Sequence, residues 1–231
     1  MVYWFLMILC FIFSMAAQAR VKSTFNKYSR VMAKADLTGE QAALKILRLY
    51  SLPVRVEGIS GSLTDHYDPR GKVLRLSDVT RNSSSIAAIG VAAHEAGHAI
   101  QDGVHYLPNT IRSSLVPLAN IGSTGGPYLA IIGVMLNSYS DHIGLTLAYV
   151  GLALYLFAFA FYIVTLPVEF NASSRAIKVL GESGMLDPDE LKGAKKVLSA
   201  AAMTYVASAA SALITLLRLF FIVGSSRDRS S

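Results

Sequence analysis

Charge is scarce in this chain. Of its 231 residues only 16% are Asp, Glu, Lys or Arg, against about 25% in ordinary soluble domains. The scarcity is concentrated: residues 1–19, 113–140, 143–168 and 197–217 carry no charged side chain at all. A helix needs about 20 largely apolar residues to cross a bilayer. Each run is long enough, and buried core helices are usually shorter and amphipathic, so four membrane spans are expected. Arg218 directly follows the last run, which leaves open whether that segment crosses fully.

Cysteine is nearly absent too. The single Cys10 lies inside the first apolar run, which excludes an intramolecular disulfide and makes it a small buried hydrophobe. The N-terminus also lacks the basic stretch that opens a secretory signal. Ala17-Gln18-Ala19 looks like a cleavage site, but Arg20, Lys22, Lys27 and Arg30 all come after the apolar run. That order predicts a retained anchor whose C-terminal end is cytoplasmic. The net charge of +6 is not a nucleic-acid signal. The basic residues flank apolar runs, with Lys192, Lys195 and Lys196 before the last, and no basic motif is interleaved with aromatics. They read as juxtamembrane charge that sets orientation and contacts anionic lipid.

Between the first two runs lies a soluble stretch, about residues 20–112. Thr38 and Gln41 have the spacing of a capping box, and the apolar positions that follow predict an amphipathic helix ended by Pro53. Residues 54–56 and 73–76 alternate as short strands, with a turn at Asp68-Pro69-Arg70-Gly71. Ser83, Ser84 and Ser85 offer N-cap oxygens to an alanine-rich helix over residues 86–101, which Gly103 can close. The soluble part is therefore α+β. The second apolar run carries Gly122, Gly125, Gly126, Pro127 and Gly133, residues that permit close helix approach or a kink. Residues 137–142 connect it to the third run.

The alanine-rich helix contains His94-Glu95-Ala96-Gly97-His98. Two histidines four apart share a helix face and can offer imidazole nitrogens to one metal ion. Glu95, beside the first, can accept a proton from a metal-bound water. The alternative, two core histidines at helical spacing, leaves a charged Glu95 unexplained in an apolar helix. A catalytic zinc needs a third protein ligand and one open position. Gln101 and Val104 stand where a metzincin has Gly and His, His105 is out of register, and His142 lies beyond one span. Glu169 is the preferred candidate, because it closes an uncharged stretch directly after Pro167-Val168. The competing reading is a carboxylate that merely snorkels to the interface. Two spans separate the histidines from Glu169, which returns both to the cytoplasmic side.

The segments LTDHYDPRGKVLRLS, AAHEAGHAIQ and LPVEFNASSRA, with KSTFNKYS after the anchor, resemble the YugP-type neutral zinc metallopeptidases of bacterial membranes over almost the whole chain. More distantly the layout is similar to the HtpX-like membrane proteases, in which a Glu-x-x-Ala-Asp segment after two spans supplies the third ligand. Glu169 and Ala172 match that segment, while Ser173 stands where it has Asp. The resemblance implies a gluzincin-type endopeptidase, one Zn²⁺ per chain and a zincin-like soluble part within a mostly α membrane protein. Asp65, Asp102 and Ser173 are candidates to orient the liganding histidines, and the sequence does not choose among them. By the same analogy, residues 73–76 or Asp65-His66-Tyr67 could pair with an extended substrate. His66, Tyr67 and Arg175 are candidate oxyanion or substrate-binding groups, though His66 and Asp68 could equally serve only the turn.

The expected organisation is an anchor (residues 1–19), a zincin-like segment (20–112), two spans (113–168), a helical segment bearing the third ligand (169–199), a last membrane helix (200–223) and a tail (224–231). The expected function is cleavage of membrane or membrane-proximal polypeptides, with a quality-control role, at the cytoplasmic face of a bacterial plasma membrane. Expected partners are polypeptide substrate and lipid, with oligomerisation or a membrane partner protein left open and nucleic acid excluded. A non-catalytic zinc scaffold or chaperone is the main alternative. A transporter is disfavoured because the second and third spans hold no ionisable residue.

Overall fold

A computed structural model describes residues 2–137 and 141–227. Part of the 137–142 connection and the end of the tail lie outside the described residues. Ten elements follow in order: α1 (Val2–Tyr28), α2 (Gly39–Leu49), β1 (Arg55–Ile59), β2 (His66–Asp68), β3 (Val73–Ser77), α3 (Asp78–Arg81), α4 (Ile86–Gly103), α5 (Leu107–Leu136), α6 (Asp141–Glu182) and α7 (Pro188–Arg227). The protein is mostly α-helical, with a small three-stranded sheet, and α1, α5, α6 and α7 are each long and apolar enough to cross a membrane.

The chain forms two compact units. One comprises Met1–Met15, Thr110–Leu166 and Tyr205–Ser231; the other comprises Ala16–Asn109 and Pro167–Thr204. Helices α1, α5, α6 and α7 each contribute residues to both. Helix α6 has 42 residues, about 63 Å at 1.5 Å per residue, twice the roughly 30 Å hydrocarbon core. Pro167 does not interrupt it. Glu169 therefore lies inside a continuous helix, beyond the stretch needed to span, rather than opening a new one. Helix α7 likewise runs unbroken through Arg218.

In the first unit, α5 and α6 pack backbone against backbone. A Cβ added to Gly126 or Gly133 would run into the main chain of α6 at Gly151 and Tyr155, or at Gly144 and Ala148. Small residues are what allow this approach in lipid, where no hydrophobic drive holds helices together. The guanidinium of Arg218 sits 4.6 Å from the Trp4 ring centroid and reaches the Met7 sulfur at 3.4 Å, which accommodates the charge between α1 and α7. Large apolar side chains such as Phe5, Phe11 and Phe220 stay exposed, as expected of surfaces that meet hydrocarbon.

In the second unit the sheet order is β1-β3-β2. Strand β3 pairs in parallel with β1 (Val56↔Leu74, Gly58↔Leu76) and antiparallel with β2 (His66↔Arg75, Tyr67↔Leu74). It is central and largely buried, so residues 73–76 have no free edge for a substrate strand; β2 has one. The Thr38 capping box opens α2 as expected. The core joins Ile46 and Leu47 of α2, Leu74 and Leu76 of β3, Ile89 and Ile100 of α4, and Leu180 of α6. Helix α4 is thereby held on several sides, with Ser85 Oγ accepting the Ala88 amide at 3.2 Å as its cap.

Candidate metal centre

The alanines of α4 are what bring its histidines close to another helix. Ala92, Ala93, Ala96 and Ala99 are buried, and a Cβ on Gly97 would stand only 2.6 Å from the Ala172 carbonyl oxygen of α6. Any larger residue at position 97 would force α4 and α6 apart. The contact falls between His94 and His98 on α4 and one turn after Glu169 on α6.

Across this contact the three side chains converge. Glu169 is 2% exposed, and its Oε2 lies 3.3 Å from His94 Nε2 and 3.5 Å from His98 Nε2. The two rings stand nearly perpendicular with centroids 4.8 Å apart. Among the described residues this is the group of three metal-capable side chains whose ligand atoms all fall within 4.8 Å of one another. Donors bound to a tetrahedral zinc at about 2.0–2.1 Å are separated by about 3.3–3.4 Å. The two His–Glu distances match that edge, so the donor set and its spacing fit zinc.

The outer nitrogens of both rings are engaged. Ser173 Oγ lies 3.1 Å from His94 Nδ1, and Gln101 Oε1 lies 3.0 Å from His98 Nδ1. Gln101 is fully buried, and its amide donates to the Val168 carbonyl at 2.8 Å and to Asn171 Oδ1 at 3.0 Å. Those donations leave its carbonyl oxygen to accept from His98, which sets the Nδ1–H tautomer and turns Nε2 inward. Asn171 Oδ1 also accepts from Arg175 Nε at 2.7 Å, and the Arg175 guanidinium lies 5.9 Å from the Tyr106 ring centroid. Without metal, burial opposes charging His98. The bond to Glu169 and the negative charges of Glu95 and Glu169 outweigh it and raise the His98 pKa. Glu95 itself is half-buried on the turn shared with His94.

The remaining candidates are tied elsewhere. Asp65 accepts the Ser77 amide and hydroxyl at 2.8 and 2.9 Å, closing the loop before β2 rather than touching a histidine. Asp102, one turn beyond His98 on α4, accepts from Tyr67 at 2.7 Å and Lys72 at 2.5 Å. Partial burial works against its charge, yet those two donors hold its carboxyl below the ordinary value. Burial, reinforced by the same Asp102 bond, drives the Tyr67 phenol well above its usual range. His66 Nδ1 lies 2.9 Å from the Thr64 carbonyl and Nε2 lies 3.3 Å from Arg75. Thus His66 and Tyr67 fasten β2, and Ser173 alone of the three orienting candidates meets a histidine. His105 lies just past the end of α4 with φ of 51°, and His142 is exposed in the other unit. Gln101 and Asn171 escaped sequence reasoning, although a glutamine three residues after His98 in an apolar helix was a usable signal.

His94, His98 and the buried Glu169, with ligand atoms all within 4.8 Å of one another, form a candidate metal site in a protein with four helices long and apolar enough to cross a membrane. Residues 3–224 match the family model described as putative neutral zinc metallopeptidase, and the chain belongs to that family. It is 43% identical over 231 residues, covering all of both chains, to a Bacillus subtilis (strain 168) protein named putative membrane protease YugP. No solved structure matches the chain.

Proposed function

We propose that the protein is a gluzincin-type zinc endopeptidase of the bacterial plasma membrane that hydrolyses membrane or membrane-proximal polypeptides at the cytoplasmic face, with a role in protein quality control. The observation that carries this reading is the convergence of His94, His98 and Glu169 at tetrahedral-edge spacing beside Glu95. His94, His98 and Glu169 are the residues that would hold one zinc per chain. When bound, zinc supplies Lewis acidity that acidifies a water and polarises a peptide carbonyl.

The chain's own residues do the rest. The Glu95 carboxylate takes the proton of the attacking water and delivers it to the leaving amine. Ser173 and Gln101 hold the two rings so that no reorganisation is needed during turnover. The free edge of β2 receives an extended substrate strand, while Asp102 and Lys72 hold Tyr67 and the adjoining turn in place. His66 and Tyr67 act by shaping that edge, because their protons are engaged by Thr64 and Asp102. Arg175 steadies the Asn171–Gln101 chain from behind.

Glu95→Gln, in the purified full-length protein, separates chemistry from metal binding. The variant is expected to keep one zinc per chain and to lose hydrolysis of a quenched peptide by about 10²-fold or more, the usual range for a lost general base. Retained turnover would sink the assignment. Full zinc content with no turnover in the wild type as well would favour the non-catalytic scaffold.

A further inference from the structure

A second concave site lies in the same unit, between α1 and α7, where both helices leave their apolar stretches. It is a cleft of about 440 Å³, within the range of small-ligand sites. Helix α1 contributes Arg20 and Lys27, seven residues apart on one face; α7 contributes Lys192, Lys195 and Lys196 at i, i+3 and i+4. The hydroxyls of Thr24, Tyr28 and Ser199 also line it, and the Tyr28 ring packs against Gly193 where a Cβ would not fit.

Five cations in one cleft repel one another, and the neighbouring acids offset little of that. Lys192 pairs with Asp189 at 2.8 Å on its own helix. Among the described residues no carboxylate lies within ion-pair distance of Arg20, Lys27, Lys195 or Lys196. Such a cluster is stabilised by an anion with several acceptor oxygens, and hydroxyls among lysines suit a phosphate better than a carboxylate. Its depth selects the source. The uncharged stretch of α1 ends at Ala19, one residue before Arg20, and that of α7 begins at Val197, one residue after Lys196. The cleft therefore sits at headgroup level, where acyl chains can run along the apolar parts of both helices.

We propose that this cleft binds the phosphodiester headgroup of an anionic phospholipid. The bound lipid bridges α1 and α7, and because Ala194 of α7 lies against Gly90 of α4, it braces the helix that carries the histidines.

The test uses the full chain in neutral detergent, reading bound-lipid mass and thermal midpoint as short-chain phosphatidylglycerol, phosphatidylcholine or inorganic phosphate is added. Phosphatidylglycerol should bind and raise the midpoint, while the other two should do neither at equal concentration. Combined Lys192→Gln, Lys195→Gln and Lys196→Gln should weaken phosphatidylglycerol by about five-fold per cation removed, whereas arginine at all three positions should retain it. Lys45→Gln, Arg48→Gln and Arg55→Gln remove the same charge elsewhere and should leave the affinity unchanged. Equal binding of phosphatidylcholine, equal loss in the two glutamine variants, or equal response to inorganic phosphate would each overturn the proposal.

Discussion

Glu169 and the two histidines would be an unfavourable group if left to themselves, since a carboxylate 2% exposed forfeits most of its hydration. What holds the two rings in place is that the outer nitrogen of each has its own partner, Ser173 Oγ for His94 and Gln101 Oε1 for His98. Gln101 is the least obvious of these, because glutamine is neither ligand nor acid, yet it joins His98 to the α6 backbone at Val168. Its removal should therefore act on the metal rather than on the chemistry. Gln101→Leu is expected to lower zinc affinity by about 10–100-fold, measured by competition with a chromophoric chelator. An affinity equal to that of wild type would show that the amide only fills space.

At the scale of elements, the α4 helix, its serine N-cap and the site's two histidines could be read from spacing alone, because helical periodicity places i and i+4 together wherever the helix sits. The helix runs through Gly103, the expected C-terminal cap, and Val104 caps it instead. Glu169 could be singled out because an acid after a long apolar run is anomalous. Its inward aim could not, since that depends on Gly97 admitting the Ala172 carbonyl, a contact between residues distant in sequence. The same limit explains why Asp65 and Asp102 looked as eligible as Ser173 to orient a histidine: proximity along the chain carries no direction. The sheet's order was likewise hidden, and with it the fact that β3 is covered on both edges. The glycines of α5 were visible as a pattern, but their partners on α6 were not. Those partners make a direct prediction. Gly133→Ala drives a methyl into the backbone at Ala148 and should destabilise by about 1–3 kcal/mol, seen as a lowered thermal midpoint in detergent. Ile131→Leu, on an exposed position of the same helix, is expected to change little.

For the whole molecule the question is whether the metal holds the fold or only equips it. Structural zinc sites supply folding energy outright, whereas catalytic ones sit on a scaffold that stands without them. Here α4 is fixed by Ile89 and Ile100 in the core with Ile46, Leu74 and Leu180, by its Ser85 cap and by the Tyr67–Asp102–Lys72 group at its far end. None of these contacts passes through the metal ligands. Glu169 in turn keeps its place through Gln101 and the Gly97–Ala172 contact as well as through the histidines. Stripping the metal with a chelator should thus abolish peptide hydrolysis while leaving the far-ultraviolet circular dichroism unchanged. Stability should fall only by the linkage contribution of the lost ligand, about 2.7 kcal/mol where free zinc had been 100 times its dissociation constant, read as a lowered thermal midpoint. Restoring zinc should recover both properties. Loss of helicity on chelation would instead mark the His-His-Glu cluster as the element that keeps α4 and α6 together.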